Sequence, residues 1–298
     1  MRLDRFLTLH VFKHLTRILP HPKGMHIPIL MYHSISDEPE KGHPYFWINT
    51  FPKRFAEHMK FLYENNYKVI NLSEAARLIE HVPMQPNKLN KPKKLYKQRK
   101  YVVLTFDDGY RDFYTHAFPG LREYGFSATV FLPTSFIDNR REPGLKGKEH
   151  LSWSEIVELE REGVAFGSHT VTHSQLRFLR NDEIEREVKQ SKDIIEDKIG
   201  EPVDSFSYPF AFPEDREFKK YLGETLEKFG YKNGVSTRIG TVKNGEDRFF
   251  LKRIPINTLD DIVFLKAKLQ GSYDWLYEPQ CFFKRIKNKL NHDEQKGK

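Results

Sequence analysis

The chain has 298 residues, 38% of them hydrophobic and 14% aromatic, which is apolar material for one barrel-sized domain or two smaller ones. Its single cysteine, Cys281, excludes an internal disulfide framework and a cysteine-rich metal centre, so any metal must rest on histidine and carboxylate. The net charge of +8 is concentrated in an insertion at about 82–100 and in the C-terminal tail, a pattern of solvated segments that argues against nucleic acid as a partner.

Residues 1–26 read as an N-terminal amphipathic extension. Phe6, Leu7, Leu9, Val11, Phe12, Leu15, Ile18 and Leu19 recur broadly at helical spacing, opposite Arg5, Lys13 and Arg17. Charges interrupt this stretch too often for a signal peptide or a spanning helix. The expectation is a cytoplasmic protein, with the basic helix able to rest peripherally on the anionic inner face of a membrane or, as such helices more commonly do, to pack on the domain or a second subunit. Strand-like runs follow at 27–35, 67–70, 101–106, 128–132, 164–167, 205–208, 234–236 and 253–256. Helical patterns fall between them at 52–64, 73–80, 112–124, 154–162, 182–199, 215–229 and 259–269. Ser73, Ser154 and Asn181, each followed by acidic residues, mark helix starts. Seven or eight βα units imply a parallel α/β sheet. No glycine-rich nucleotide loop follows the first strand and polar residues collect just after strands, which favours a closed barrel over an open sheet. The main domain then spans 27–270, and 271–298 is a basic tail.

Two motifs carry the chemistry. The run YVVLTFDDGYRD ends a buried-looking strand on Asp107 and Asp108. Adjacent side chains of an extended chain point different ways, so one carboxylate can bind a metal while the other faces water. By itself DDG is equally an ordinary turn closed by Gly109. The stretch FGSHTVTHSQL places His169 and His173 four apart, which a helical turn would bring to one side as two metal ligands; alone, such a pair is more often two surface histidines near a helix start. Two histidines and a carboxylate form a facial set suited to Zn, Fe, Co or Ni.

TFDDGY (105–110) followed some sixty residues later by SHTVTH (168–173) resembles the first two motifs of the polysaccharide deacetylases, the carbohydrate esterases with a NodB homology domain. The resemblance runs from about 27 to 269. It implies a distorted (β/α)7 barrel, TIM-barrel-like, and one divalent metal, usually Zn2+ with Co2+, Ni2+ or Fe2+ as alternatives. The implied reaction removes an acetyl group from an N-acetylated sugar by attack of a metal-bound water. Carried over by position, Asp107 is the general base, and Asp108, His169 and His173 are the metal ligands. In SFSYPFAF (205–212), Pro209 and Phe210 match the third motif, with the Phe210 amide as oxyanion donor. Ser207 stands where that motif has an arginine, a variation resembling the branch that acts on poly-N-acetylglucosamine. Arg253 or Arg238 is expected to supply the missing charge. The late histidine that protonates the leaving amine has no counterpart before His292, and His33, in LMYHSIS at the end of the first strand, is the candidate replacement; a structural histidine is the alternative there. Tyr110, Trp153, Pro209 and Phe210 are the candidate sugar contacts.

The expected activity is thus N-deacetylation of a polysaccharide, oligosaccharide or glycan precursor. Its rivals are a sugar O-acetyl esterase, in which the same water attack cleaves an ester, and a catalytically impaired barrel that binds acetylated glycans.

Overall fold

The computed structural model describes residues 2–18, 26–80, 100–138, 145–210 and 215–282. The basic insertion, apart from Lys100, and the tail from 283 onward lie outside them. Seven parallel strands close into a ring: β1 (Ile29–Tyr32), β2 (Lys100–Phe106), β3 (Thr129–Leu132), β4 (Ala165–Ser168), β5 (Ser205–Ser207), β6 (Asn233–Ile239) and β7 (Leu251–Pro255). Closure comes from β1, which pairs with β7 (Leu30 opposite Ile254) and with the inner half of β2 (Ile29 to Tyr32 opposite Val103 to Phe106). The expected strand at 67–70 is present as Tyr67–Val69 but pairs with the outer end of β2, Lys100 to Val102. That end projects beyond the ring, so the segment adds an edge strand and not an eighth stave.

Helices α1 (Pro52–Glu64), α2 (Leu72–Glu80), α3 (Phe118–Glu123), α4 (Trp153–Arg161), α5 (Asn181–Ile199), α6 (Arg216–Lys228) and α7 (Ile262–Leu269) accompany the strands. Their starts are set by caps close to those expected. The Asn71 side chain accepts from the Glu74 amide at 2.7 Å, and Ser152 forms a reciprocal box with Glu155, so both helices begin earlier than 73 and 154.

Helix α2 is unlike the others. Its apolar stripe, Leu72, Ala75, Ala76 and Ile79, packs with Ile29, Val103, Phe131, Val235 and Leu251 from five strands. This helix plugs the lower mouth of the barrel, and burial of that stripe leaves the opposite end, at the strand C-termini, for chemistry. Gly167 on β4 permits the close packing: a Cβ there would lie 2.5 Å from the Phe131 ring and 2.9 Å from the Ser205 carbonyl oxygen.

The N-terminal segment is helical over residues 3–18, in three consecutive pieces, and lies along α7. Arg2 and Asp4 pair at 2.6 Å, Arg2 reaches Asp260 at 3.3 Å, and Asp260 holds Lys268 at 2.9 Å, all in buried positions. No helix among the described residues is long and apolar enough to cross a membrane.

Candidate active site

The upper ends of β2, β4, β5 and β7 converge. At the end of β2 the Asp107 amide donates to the Tyr32 carbonyl at 3.0 Å, keeping β1 and β2 paired up to the first carboxylate. The chain then turns. Asp108 adopts φ 72° and Gly109 φ 59°, so the two aspartates diverge through a left-handed turn and not through the alternation of an extended strand. Gly109 is also close to Leu132, whose Cδ2 would lie 2.9 Å from an added Cβ.

His169 and His173 converge on Asp108, but not by a helical turn: the segment is a loop in which Thr170 (φ 67°) and His173 (φ 56°) are left-handed. Such positions are strained for non-glycine residues, and α5 holds them. The Glu187 carboxylate accepts from the amides of Val171 and Thr172 at 2.8 and 2.9 Å and from the Thr172 hydroxyl at 2.8 Å. The Thr170 and Val171 carbonyls accept from Thr134 and Ser135 after β3. Glu187 is a site residue that the sequence reading missed. Its signal was present: among Ile184, Val188 and Ile195 on the buried stripe of α5, a carboxylate needs a partner.

Asp108 Oδ1 lies 3.2 Å from His173 Nε2 and 3.5 Å from His169 Nε2. Ligands bound at about 2.0–2.1 Å with tetrahedral angles stand about 3.4 Å apart, which both Asp108–histidine distances match, and the three ligand atoms all lie within 4.8 Å of one another. His169 Nδ1 donates to the Ser207 carbonyl at 2.7 Å, which in the neutral imidazole puts the proton on Nδ1 and turns the Nε2 lone pair to the Asp108 side, as a cation ligand requires. Burial works against the Asp108 charge, yet hydrogen bonds from His169 and His173 hold its carboxyl well below the usual range. Burial likewise opposes charge on His169, but Asp107 and Asp108 raise its pKa.

Asp107 meets a different partner. Arg253, fully buried on β7, grips it with two parallel bonds: Nη1 to Oδ1 and Nη2 to Oδ2, both 2.7 Å. Arg253 Nη2 also donates to the Ser207 hydroxyl at 3.1 Å, and Nε donates to the Ser236 carbonyl at 3.1 Å. That carbonyl lies where the β6 and β7 register shifts, between Val235 and Ile239, so the irregularity in the ladder supplies the anchor. It is Arg253, of the two arginines considered, that reaches Asp107. Ser207 is small enough to admit the guanidinium from across the barrel, and its hydroxyl lies 3.4 Å from Asp107 Oδ1. Burial would raise the Asp107 pKa, but the Arg253 charge and then His169 lower it below the usual value.

The remaining candidates divide. His33 Nε2 lies 3.9 Å from Asp107 Oδ2, and burial lowers its pKa against the pull of Asp108 and Asp107. Phe210 is 45% exposed with φ 59°, its ring 4.7 Å from that of His173. Pro209 is buried and Tyr110 is 1% exposed, so neither offers a free face to a sugar; both are walls of the site. The Tyr110 ring packs on His150, 5.2 Å between centroids. Trp153 is partly buried against the core at the start of α4. His150, absent from the sequence reading, is brought in by its bridge to Tyr110; burial lowers its pKa to about 4 despite the nearby Asp108.

The polysaccharide deacetylase family model matches residues 94–234, which contain Asp107, Asp108, His169, His173 and Phe210 but not His33 or Arg253. YxkH of Bacillus subtilis (strain 168), which bears the polysaccharide deacetylase name, is 31% identical over 238 residues, 79% of this chain and 73% of its own length. The chain belongs to the polysaccharide deacetylase family. This deacetylase is accordingly a hydrolase of the amide bonds of acetylated polysaccharides. The Streptococcus pyogenes deacetylase PplD, solved in complex with acetate, superposes with a TM-score of 0.66 at 25% identity over 83% of this chain and 99% of its own. The poly-β-1,6-N-acetyl-D-glucosamine N-deacetylase of Escherichia coli (strain K12) is 27% identical over 149 residues, 47% of this chain and 20% of that protein.

Proposed function

We propose that this deacetylase removes acetyl groups from N-acetylglucosamine-type glycans, with Asp107 as general base and Asp108, His169 and His173 as ligands of one divalent cation, most consistent with Zn2+. The observation that carries this reading is the division between neighbouring carboxylates: one is turned to two imidazoles 3.2 and 3.5 Å away, the other is gripped by an arginine. A divalent ion held there supplies Lewis acidity to the acyl oxygen and acidifies a water. Asp107, kept ionised and in one orientation by Arg253 and Ser207, accepts a proton from the attacking water. The water oxygen bonds to the acyl carbon, and the Phe210 amide, set by its left-handed backbone, donates to the oxyanion. When the C–N bond breaks, the amine nitrogen takes its proton from His33, which lies 3.9 Å from Asp107 and receives the proton that Asp107 removed. The exposed Phe210 face stacks on the sugar ring.

Support for the amide-linked glucosamine substrate is the partial match to the E. coli enzyme. The test is acetate release by metal-reconstituted protein from matched N-acetyl and O-acetyl glycans, with Asp107→Asn as control. Release confined to O-acetyl glycans replaces the amidase reading by an esterase. Absence of release from either, with the cation bound, moves the protein to the glycan-binding class.

A further inference from the structure

The N-terminal helical segment has two faces. Its inner face is built by residues four apart: Asp4 pairs with Arg2 and accepts from the Tyr273 hydroxyl at 2.8 Å, Thr8 accepts from Trp275 Nε1 at 3.0 Å, Phe12 stacks on the Trp275 ring at 4.7 Å, and Thr16 meets Ser272 at 3.0 Å. A four-residue spacing drifts around an ordinary α-helix. The wider turn at Thr8–Phe12 counters that drift and keeps the four positions on the barrel.

The same geometry sorts the remainder outward. Leu3, Phe6, Val11, Leu15 and Ile18 are 38–80% exposed, with His10 and His14 exposed among them and Lys13 half-buried. The only acidic residue in 3–18 is Asp4, and it is turned inward. Leu259, whose carbonyl accepts from Arg5 at 3.3 Å, extends the apolar surface onto the start of α7. A solvated helix face would carry mixed charges; this one is apolar with cationic and titratable flanks only.

We infer that this outer face seats the protein on an anionic lipid surface, with the helix lying in the interface and the barrel above it. Charge decides the occupant: the helical segment carries no outward carboxylate of its own, the adjoining Asp261 being paired with Arg5 at 2.6 Å, so the face complements anionic headgroups while its leucine, isoleucine and phenylalanine side chains enter the acyl boundary. The helix begins near the catalytic end. Arg2 Nη1 donates to Asn257 Oδ1 at 3.3 Å, and Asn257 Nδ2 donates to the Pro44 and Trp47 carbonyls of the loop that follows β1. Seating this face therefore brings the rim of the active site close to the lipid surface. This inference stands apart from the assigned chemistry and does not depend on it.

The test is vesicle flotation of the full chain on phosphatidylglycerol-rich and on pure phosphatidylcholine vesicles, comparing wild type, the double variant Val11→Glu/Leu15→Glu, and Tyr63→Glu, which alters an exposed aromatic on α1. Expected is binding to the anionic vesicles only, weakened by salt, reduced about 10-fold or more in the double variant and unchanged in Tyr63→Glu. Melting temperature and acetate release stay at wild-type values, which separates lost docking from lost folding. Equal flotation on both vesicle types, or flotation of the double variant equal to wild type, overturns the inference. So does a wild-type dimer that the double variant converts to monomer in the absence of vesicle binding, since the face would then join two copies of the chain.

Discussion

Replacing Arg253 by methionine keeps most of the aliphatic bulk and removes the positive charge that faces Asp107. The pair is almost completely buried, at 0% and 3% side-chain exposure, and makes two bonds of 2.7 Å. With charge centres about 4 Å apart and an effective dielectric of about 20, the attraction is about 4 kcal/mol. Leaving a buried carboxylate without its partner is expected to cost about 3–5 kcal/mol of stability at neutral pH. The sign with pH follows from the direction of the shift. Arg253 depresses the Asp107 pKa, so the stabilisation is complete above the ordinary carboxylate range and disappears as pH falls through the depressed value. The gap between wild type and variant should therefore narrow in strong acid. In the variant, burial acts on Asp107 unopposed by the arginine and raises its pKa, so the acid limb of kcat/KM moves to higher pH. Arg253→Lys keeps a charge but loses the fork, and should fall between the two. Urea denaturation of Arg253→Met, Asp107→Asn and the double variant gives the coupling energy. A coupling below about 0.5 kcal/mol, or an acid limb that does not move, refutes the positioning argument.

Alanine at His169, His173 or Asp108 should abolish retention of a divalent ion through gel filtration, read by elemental analysis, while Asp107→Asn retains it; equal retention in all four would separate the triad from the metal. His33→Gln should lower kcat by about 10²-fold or more with metal content intact, and turnover within twofold of wild type would exclude His33 as proton donor. Phe210→Ala should raise KM by about 2- to 10-fold with a smaller change in kcat, measured on N-acetylglucosamine oligomers, whereas an unchanged KM removes the stacking role. Glu187→Gln removes the charge that anchors three donors of the His173 loop and should weaken metal retention without touching the ion; wild-type affinity would show that the loop holds its shape unaided.

Both motifs and the alternation of strand and helix were legible because they are local. A strand ending on two carboxylates and a glycine needs some compensating charge whatever the fold, and HxxxH limits how far apart two imidazoles can be. The details failed where a local rule met a tertiary demand. A helical turn was expected between His169 and His173, but the loop reaches the same convergence through left-handed residues braced by Glu187. Tyr110 and Pro209 were placed beside a sugar by their proximity to the motifs, and the barrel wall claimed both. The strand at Tyr67–Val69 has the pattern of a stave, but only pairing geometry puts it outside the ring.

By itself, the sequence narrowed what could hold a metal to histidine and carboxylate, since it has a single cysteine, and it determined the parallel α/β class through hydrophobic periodicity. Tertiary structure alone decided which charge holds Asp107. Arg253 lies 146 residues away in the chain, and no spacing rule spans that distance. Ring closure brings β7 next to β1 and within reach of the end of β2, and the register shift between β6 and β7 gives the guanidinium its anchor. The serine in place of a motif arginine thus leaves Asp107 paired: with a small side chain at 207, a cation from the far side of the barrel can fill the space.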